Sequence, residues 1–354
     1  MSELDPKPFS STMAGHTPVM ATQDHIRRSC YFQARMWRCL LTRCLIASAL
    51  LFTARHVYAQ TEPSADQSKV QYKLQLPVDE VVLTFHAMDD HGLPVNDLKA
   101  NEVHLLDNGS PPRRVIAFDS ILNRPIRAAI LLDTSESMQQ TVSASKRIAQ
   151  RFVEHILRQE SDKAIVIDFA YASNTAAQWT GNPSSLSQNI QNVRPAAMNP
   201  VQGTAIFNTI FRTCAYDFKN SDPAVTGNIM LLFSDGEDNA GMTSMEEALR
   251  ACQSSNTVIY AFRIPSNYPD HSTGPKTLAD LASNTGGRVF PANETPDAIW
   301  DDLKLIESEM RNQYRLVYTP ANVKHDGTFH SIELQMPDRV DQFEVRSGYF
   351  AARQ

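Results

Sequence analysis

Oxygen-bearing side chains stand beside apolar runs at three places in the sequence, within the stretches AAILLDTSESM, VQGTAIFNTI and LLFSDGEDN. The five that could bind a metal ion are Asp133, Ser135, Ser137, Thr204 and Asp235. Two carboxylates and three hydroxyl groups, with no His or Cys among them, form a set of hard oxygen ligands. Such a set suits Mg²⁺ or Mn²⁺, with Ca²⁺ as a weaker candidate.

These side chains can act together only if the fold brings them to one place. Between about residues 125 and 312, apolar runs typical of buried strands alternate with segments whose apolar residues recur at helical spacing. Near-continuous apolar strands joined by helices predict a doubly wound, mainly parallel α/β sheet with helices on both faces. Ligands of such sheets bind at the carboxyl ends of the strands. The predicted strands are 128–132, 163–169, 229–233, 257–264 and 288–291, with a weaker one near 178–180.

The two flanks of this segment have a different pattern. Residues 69–124 and 313–354 show strand-like alternation and turn signals without a helical stripe. Each flank supplies about three strands, which are too few to bury an apolar face alone. We therefore expect the flanks to join into one small antiparallel β domain, with the α/β domain (125–312) inserted between them. A helix that begins at Thr295 and ends near Asn312 leads directly into the second flank.

The N-terminal segment is typical of an export signal. Arg38 and Arg43 precede an apolar run at 44–54, and small residues precede Gln60. The run has eleven residues, whereas a membrane-spanning helix needs about 20. We expect residues 1–59 to be removed and the mature protein to be secreted or held in the periplasm or cell envelope. A buried helix or an uncleaved anchor is the alternative.

Two further features belong to this N-terminal region. A start at Met36 would give a signal of ordinary length, so residues before it are interpreted as an upstream extension. A polar linker, 60–68, follows the expected cleavage point. Neither the linker nor the later sequence contains an apolar run long enough to span a membrane, so no span is expected in the mature chain.

Charge argues against a nucleic-acid partner. The full chain has a formal net charge of −6, and the chain without residues 1–59 has 26 basic and 36 acidic side chains, a net charge of −10. It also lacks a basic run. Affinity for nucleic acid comes largely from neutralised phosphates, so this composition disfavours that function.

Cys214 and Cys252 are the cysteines that remain after the expected cleavage. An even pair in an oxidising compartment can form a disulfide. Each cysteine falls on the apolar face of a different predicted helix, which favours two separate buried thiols and leaves a bridge as the alternative.

The sequence offers no recognisable catalytic motif. GxSxG, HExxH, a phosphate-binding loop and CxxC are all missing, and the ten histidines are scattered. A metal ion with an open coordination position could activate water, but no general base is recognisable near the candidate ligands. We therefore expect a binding protein and not an enzyme.

The metal-binding pattern resembles the von Willebrand factor type A domain over roughly residues 126–312. The family's DxSxS motif is present as DTSES, its loop threonine as GTA and its last aspartate as SDG. The resemblance implies a metal-ion-dependent adhesion site, in which the hydroxyl groups bind the metal directly or through water. It implies that the two aspartates hold coordinated waters, and that an Asp or Glu carboxylate of a partner protein takes the open position.

The flanks are similar to those of a secreted bacterial subgroup, the VWFA-related Acidobacteria domain proteins. The residues that carry this likeness are GLPVNDLKANEVHLLDNG upstream, with DGTFHSIEL and VRSGYF downstream. The leading hypothesis is therefore an exported, metal-dependent adhesion module. In the alternative, the metal ion only braces loops and the β domain carries the interaction surface of a structural or scaffold protein.

Overall fold

The computed structural model describes residues 80–196, 203–222, 225–265 and 273–353. The predicted signal peptide, the cleavage point before Gln60 and the linker 60–68 lie outside the described residues, as do residues 69–79 of the first flank. Within the described ranges, no helix is long and apolar enough to cross a membrane.

Thirteen strands and six α-helices form the described part of the chain. The strands are β1 Val81–Met88, β2 His104–Asp107, β3 Arg114–Ile121, β4 Ile126–Asp133, β5 Lys163–Phe169, β6 Ser173–Thr180, β7 Gly227–Ser234, β8 Thr257–Arg263, β9 Val289–Pro291, β10 Gln313–Thr319, β11 Phe329–Gln335, β12 Gln342–Val345 and β13 Gly348–Phe350. The helices are α1 Val142–His155, α2 Pro183–Asn192, α3 Ile206–Arg212, α4 Met245–Ser254, α5 Gly274–Ser283 and α6 Pro296–Arg311.

The central sheet has six strands in the order β6-β5-β4-β7-β8-β9. Its neighbouring strands are parallel, apart from β6, which pairs antiparallel with β5. The doubly wound, mainly parallel sheet predicted from the sequence is therefore confirmed. β4 lies between β5 and β7, so the loops that follow β4 and β7 lie side by side at the carboxyl edge.

Alternation along β4 explains why helices cover both faces of this sheet. Ile130 belongs to the core on one face, with helices α1, α2 and α6, whereas Leu131 belongs to the core on the other, with α3, α4 and α5. Successive side chains of a strand point to opposite faces, so a strand buried on both sides is apolar throughout. The sequence prediction did not include α2, because only Leu186 and Ile190 of this helix are buried.

The flanks form two antiparallel sheets, ordered β12-β1-β10-β3 and β13-β11-β2. Each sheet combines strands from both flanks, and one apolar cluster fills the space between them. The prediction that the flanks join into a β domain is confirmed, and we use that name for β1–β3 with β10–β13. The prediction of one strand over FEVRSGYF was wrong, because the backbone N–H of Ser347 donates to Ser283 of the α/β domain and the chain then changes sheets.

Helix α6 connects the two domains with one intervening residue, Asn312, before β10. Glu309 in this helix is fully buried, 2.7 Å from Nε of Arg288 and 3.2 Å from Nε2 of His86 in β1. These contacts are within ion-pair distance, although their angles are not those of hydrogen bonds. Burial raises the pKa of Glu309, but His86 and Arg288 outweigh it and lower the pKa below its ordinary value. The carboxyl group thus links α6 electrostatically to the β domain.

Cys214 and Cys252 form a disulfide. The expectation of two separate thiols was wrong, because each lies on the buried face of its segment and those faces meet: Cys252 is in α4, and Cys214 follows α3 in a turn of π-helix. The apolar spacing on each helix was interpreted correctly, but spacing within a helix does not reveal which other helix it faces. The bridge ties the end of α3 to α4.

Candidate metal centre at the carboxyl edge of the parallel sheet

The loop after β4 holds three of the candidate ligands. Asp133 is the last residue of β4 and is fully buried; its Oδ1 accepts from the backbone N–H of Ser135 at 2.9 Å. The hydroxyl oxygens of Ser135 and Ser137 lie 3.3 Å apart, so the two side chains point to one side of the loop. Glu136 between them is exposed to solvent.

Neighbouring backbone fixes this loop in place. Both the N–H and the hydroxyl group of Thr134 donate to the carbonyl of Phe169, at 2.8 and 3.0 Å. The carbonyl of Thr134 accepts from Ala196 at 2.9 Å. Thr134 lies inside the DTSES motif but is not among the five ligands predicted from the sequence.

The loop after β7 is joined to the first by a hydrogen bond. Ser234 donates from its hydroxyl group to Oδ2 of Asp133 at 2.6 Å. The hydroxyl oxygen of Ser234 in turn accepts from the backbone N–H of Gly236 at 3.0 Å. Asp235 is 3% exposed, and its Oδ1 accepts from the N–H of Glu237 at 3.1 Å. Both aspartates therefore lie on facing loops, with carboxylates held by local donors.

Gly236 lets this loop contact the start of α5. Its φ is +90°, and a Cβ atom there would lie 2.3 Å from the carbonyl oxygen of Gly274. Glu237 accepts from the N–H of Gly274 at 2.7 Å and from the hydroxyl group of Thr273. The Glu237 carboxylate thus caps the N-terminus of α5 in place of an N-cap side chain. The helix dipole also favours a negative charge at this end of a helix.

The third segment is held against the second. Thr204 is 4% exposed; its N–H donates to the side chain of Asn239 at 2.6 Å, and its carbonyl accepts from the N–H of the same residue. Asp238 accepts from the N–H of Phe207 in the first turn of α3. The side chains of the segment 237–239 thus hold the threonine loop and the starts of α3 and α5.

Electrostatics fit a divalent cation at this place. Burial, with a smaller contribution from the nearby charge of Asp235, raises the pKa of Asp133 to about 6. The hydrogen bonds from Ser135 and Ser234 act in the opposite direction and only partly offset this rise. Among the described residues, no Lys, Arg or His lies within ion-pair distance of either aspartate. Two buried carboxylates without a cation are costly, and hydroxyl and carboxylate oxygens are ligands that Mg²⁺ and Mn²⁺ accept.

A different acidic group lies in the turn after β1, where Asp89, Asp90 and His91 bring ligand atoms together. Asp89 there accepts from two backbone N–H groups of its own turn, and the other two residues are exposed. This geometry is that of a turn held by its aspartate.

Comparison with known proteins assigns the α/β domain to a family. Residues 129–301 match the sequence model of the von Willebrand factor type A domain. The chain therefore contains a domain of this family, as the motifs predicted. A search of curated proteins finds no match.

Several solved structures are similar in part. The conserved hypothetical protein BatB from Bacteroides thetaiotaomicron is 19% identical, with 51% of this chain and 97% of that chain covered and a TM-score of 0.41. Proximal thread matrix protein 1 from the mussel byssus, in a structure described as having a zinc-occupied MIDAS motif, is 16% identical. The match covers 58% of this chain and 50% of that chain, with a TM-score of 0.43. A von Willebrand factor type A protein from Catenulispora acidiphila is 12% identical. The match covers 73% of this chain and 76% of that chain, with a TM-score of 0.42.

Proposed function

We propose that this chain, which contains a von Willebrand factor type A domain, is an exported protein-binding module of the adhesion type. A divalent cation, Mg²⁺ or Mn²⁺ before Ca²⁺, binds at the carboxyl edge of the sheet and accepts an Asp or Glu carboxylate from a partner protein. The observation that carries the proposal is the hydrogen bond of Ser234 to Asp133, which joins two loops that each present a buried carboxylate.

The residues divide into two roles in this account. Ser135, Ser137 and Thr204 offer neutral hydroxyl oxygens to the cation, while Asp133 and Asp235 hold its waters and offset its charge. Neutral direct ligands leave the cation with positive charge to spare, which favours an incoming carboxylate over a further neutral oxygen. The domain itself is an interaction module, and its site presents no recognisable general base, so we propose binding and not catalysis.

Export is part of the proposal and is supported by the N-terminal sequence and by the disulfide. Disulfides persist in oxidising compartments and are rare in the cytosol. Mass spectrometry of the protein recovered from its native compartment should find Gln60 as the first residue. Recovery of intact residues 1–59 on the folded protein would contradict it. The likeness of the flanks to the Acidobacteria subgroup stays a prediction.

Partner binding is tested by comparing metal with chelator. Immobilised wild-type protein, Asp133→Ala and the exposed control Glu136→Ala are incubated with an envelope and extracellular protein fraction in Mg²⁺ or in EDTA. We expect the same partner on wild type and Glu136→Ala in Mg²⁺ only, and loss of its binding when one acidic residue of the partner is changed to its amide. Binding that persists in EDTA and on Asp133→Ala would instead support the scaffold alternative, with the surface on the β domain.

A further inference from the structure

A cavity lies between the β domain and α4. Its volume is about 790 Å³, within the range of about 300–1,000 Å³ that is usual for small-molecule sites. None of the five candidate metal ligands lines it. Its walls include the apolar side chains of Val82, Pro320, Val323 and Tyr349. We call this cavity the basic cleft because basic side chains outnumber acidic ones in its lining.

Positive charge outweighs negative charge in this cleft. The basic side chains that line it are Arg250, Arg315, Lys324, Arg346 and Arg353, against the acids Glu80 and Asp222. Three of these cations have carboxylate partners outside the lining: Arg250 and Arg353 contact Glu246, and Arg315 contacts Asp119. Such a concentration of cations is unexpected in a chain whose net charge is −6.

Arg346 differs from the other cations. Its Nη2 donates to the carbonyl of Val82 at 3.0 Å, and its guanidinium carbon lies 5.7 Å from the centre of the Tyr349 ring. Its Nε is buried and has no hydrogen-bond partner, and no carboxylate of the described residues lies within ion-pair distance. The nearest acid along the chain, Glu344 in β12, pairs with Arg288 instead. Burial lowers the pKa of Arg346 to about 10, which reflects the cost of this uncompensated charge.

We propose that the basic cleft binds a small organic anion whose oxyanion group pairs with Arg346. A carboxylate or phosphate group can accept two parallel hydrogen bonds from one guanidinium group, and the half-buried Arg346 has no carboxylate partner among the described residues. The apolar body of the ligand lies against Val82 and Tyr349. Lys324 and Arg353 at the exposed rim attract the anion from solution.

Calorimetry with benzoate, phenyl phosphate and inorganic phosphate tests this proposal. The titrations use the full protein in EDTA and at matched potassium chloride, so that neither the metal centre nor ionic strength contributes. Saturable binding of benzoate identifies a carboxylate ligand, and binding of phenyl phosphate alone identifies a phosphate ester. Inorganic phosphate should bind more weakly than phenyl phosphate because it lacks an apolar body. Equal affinity of the two phosphates would contradict the apolar contact.

Variants connect the binding to Arg346. Arg346→Gln should bind the aryl anions at least about tenfold more weakly, whereas Arg147→Gln, an exposed change on α1, and Asp133→Ala should bind as wild type does. Because the change removes an uncompensated charge, ligand-free Arg346→Gln should melt at or above the wild-type temperature. If Arg346→Gln folds poorly, resonances of Val82 and Tyr349 in the wild-type protein should still shift on titration. No binding of either aryl anion, or equal binding to Arg346→Gln, would overturn the proposal.

Discussion

The hydroxyl group of Ser234 donates to Oδ2 of Asp133 at 2.6 Å, and both residues are fully buried. The bond joins the end of β7 to the end of β4 and orients one carboxylate of the candidate metal centre. Ser234→Ala removes the donor and leaves that acceptor unpaired, which should cost about 1–3 kcal/mol of unfolding free energy. We also expect weaker Mg²⁺ binding, because Asp133 loses its fixed orientation.

Urea unfolding and calorimetry of Mg²⁺ binding check this prediction. Ser184→Ala, at an exposed position on α2, is the matched control and should change neither quantity. Unaltered Mg²⁺ affinity in Ser234→Ala would show that the hydrogen bond is not part of the metal centre.

The disulfide between Cys214 and Cys252 should stabilise the α/β domain. The cysteines are 38 residues apart. Closing a loop of that length lowers the conformational entropy of the unfolded state, which raises its free energy by about 4 kcal/mol. We expect Cys214→Ser with Cys252→Ser to lower the unfolding free energy by an amount of this order, measured by urea unfolding. A reductant should lower the stability of wild type and leave the double variant unchanged. Equal sensitivity of both proteins would mean that the bridge is not formed in solution.

Acid should destabilise the protein through the buried pair of Asp162 and Arg311, whose Oδ2 and Nη2 lie 2.7 Å apart. Burial raises the pKa of Asp162, but the bonds from Arg311 and from two backbone N–H groups outweigh it and lower the pKa below its ordinary value. A carboxyl group with a lowered folded pKa stabilises the protein fully above its unfolded pKa of about 3.9. That stability is lost as the pH falls through the folded pKa.

Arg311→Met should reveal this contribution at pH 7. The variant leaves Asp162 buried without its cation, so we expect a loss of about 3–5 kcal/mol and weaker dependence of stability on pH below about 4. Urea unfolding at several pH values measures both effects. Arg339→Met, at an exposed arginine that contacts Asp97 and Glu102, should change little. A similar loss in both variants would argue against the buried pair.

Deleting the second flank, residues 313–354, should unfold the first flank. β10 lies between β1 and β3 in the four-stranded sheet, so its removal leaves those strands without their common neighbour. Amide exchange should then show loss of protection in residues 81–121 and retained protection in β4 and β7. Unchanged protection in 81–121 would mean that the first flank folds independently.

The sequence predicted those features that depend on spacing within one segment. The run from Ala128 to Leu132 is apolar on both faces, so its position in a doubly wound sheet could be inferred. The DTSES motif that follows it could therefore be placed at the carboxyl edge. The pairing of Cys214 with Cys252 could not, because it depends on how two helices face each other. The break at Ser347 and the role of Asn239 in holding Thr204 also result from contacts between distant segments.

The most direct test of the metal centre is calorimetric titration of Mg²⁺ and Mn²⁺ into wild type, Asp133→Ala and Glu136→Ala, with thermal melts in parallel. Wild type and Glu136→Ala should each bind one cation. Their unfolding free energy should rise by about 2.7 kcal/mol when the free cation concentration is one hundred times Kd. Asp133→Ala should fold, bind no cation and gain nothing. Binding of the cation by Asp133→Ala with wild-type affinity, or no binding by wild type, would contradict the assignment of this edge of the sheet as a metal-dependent binding site.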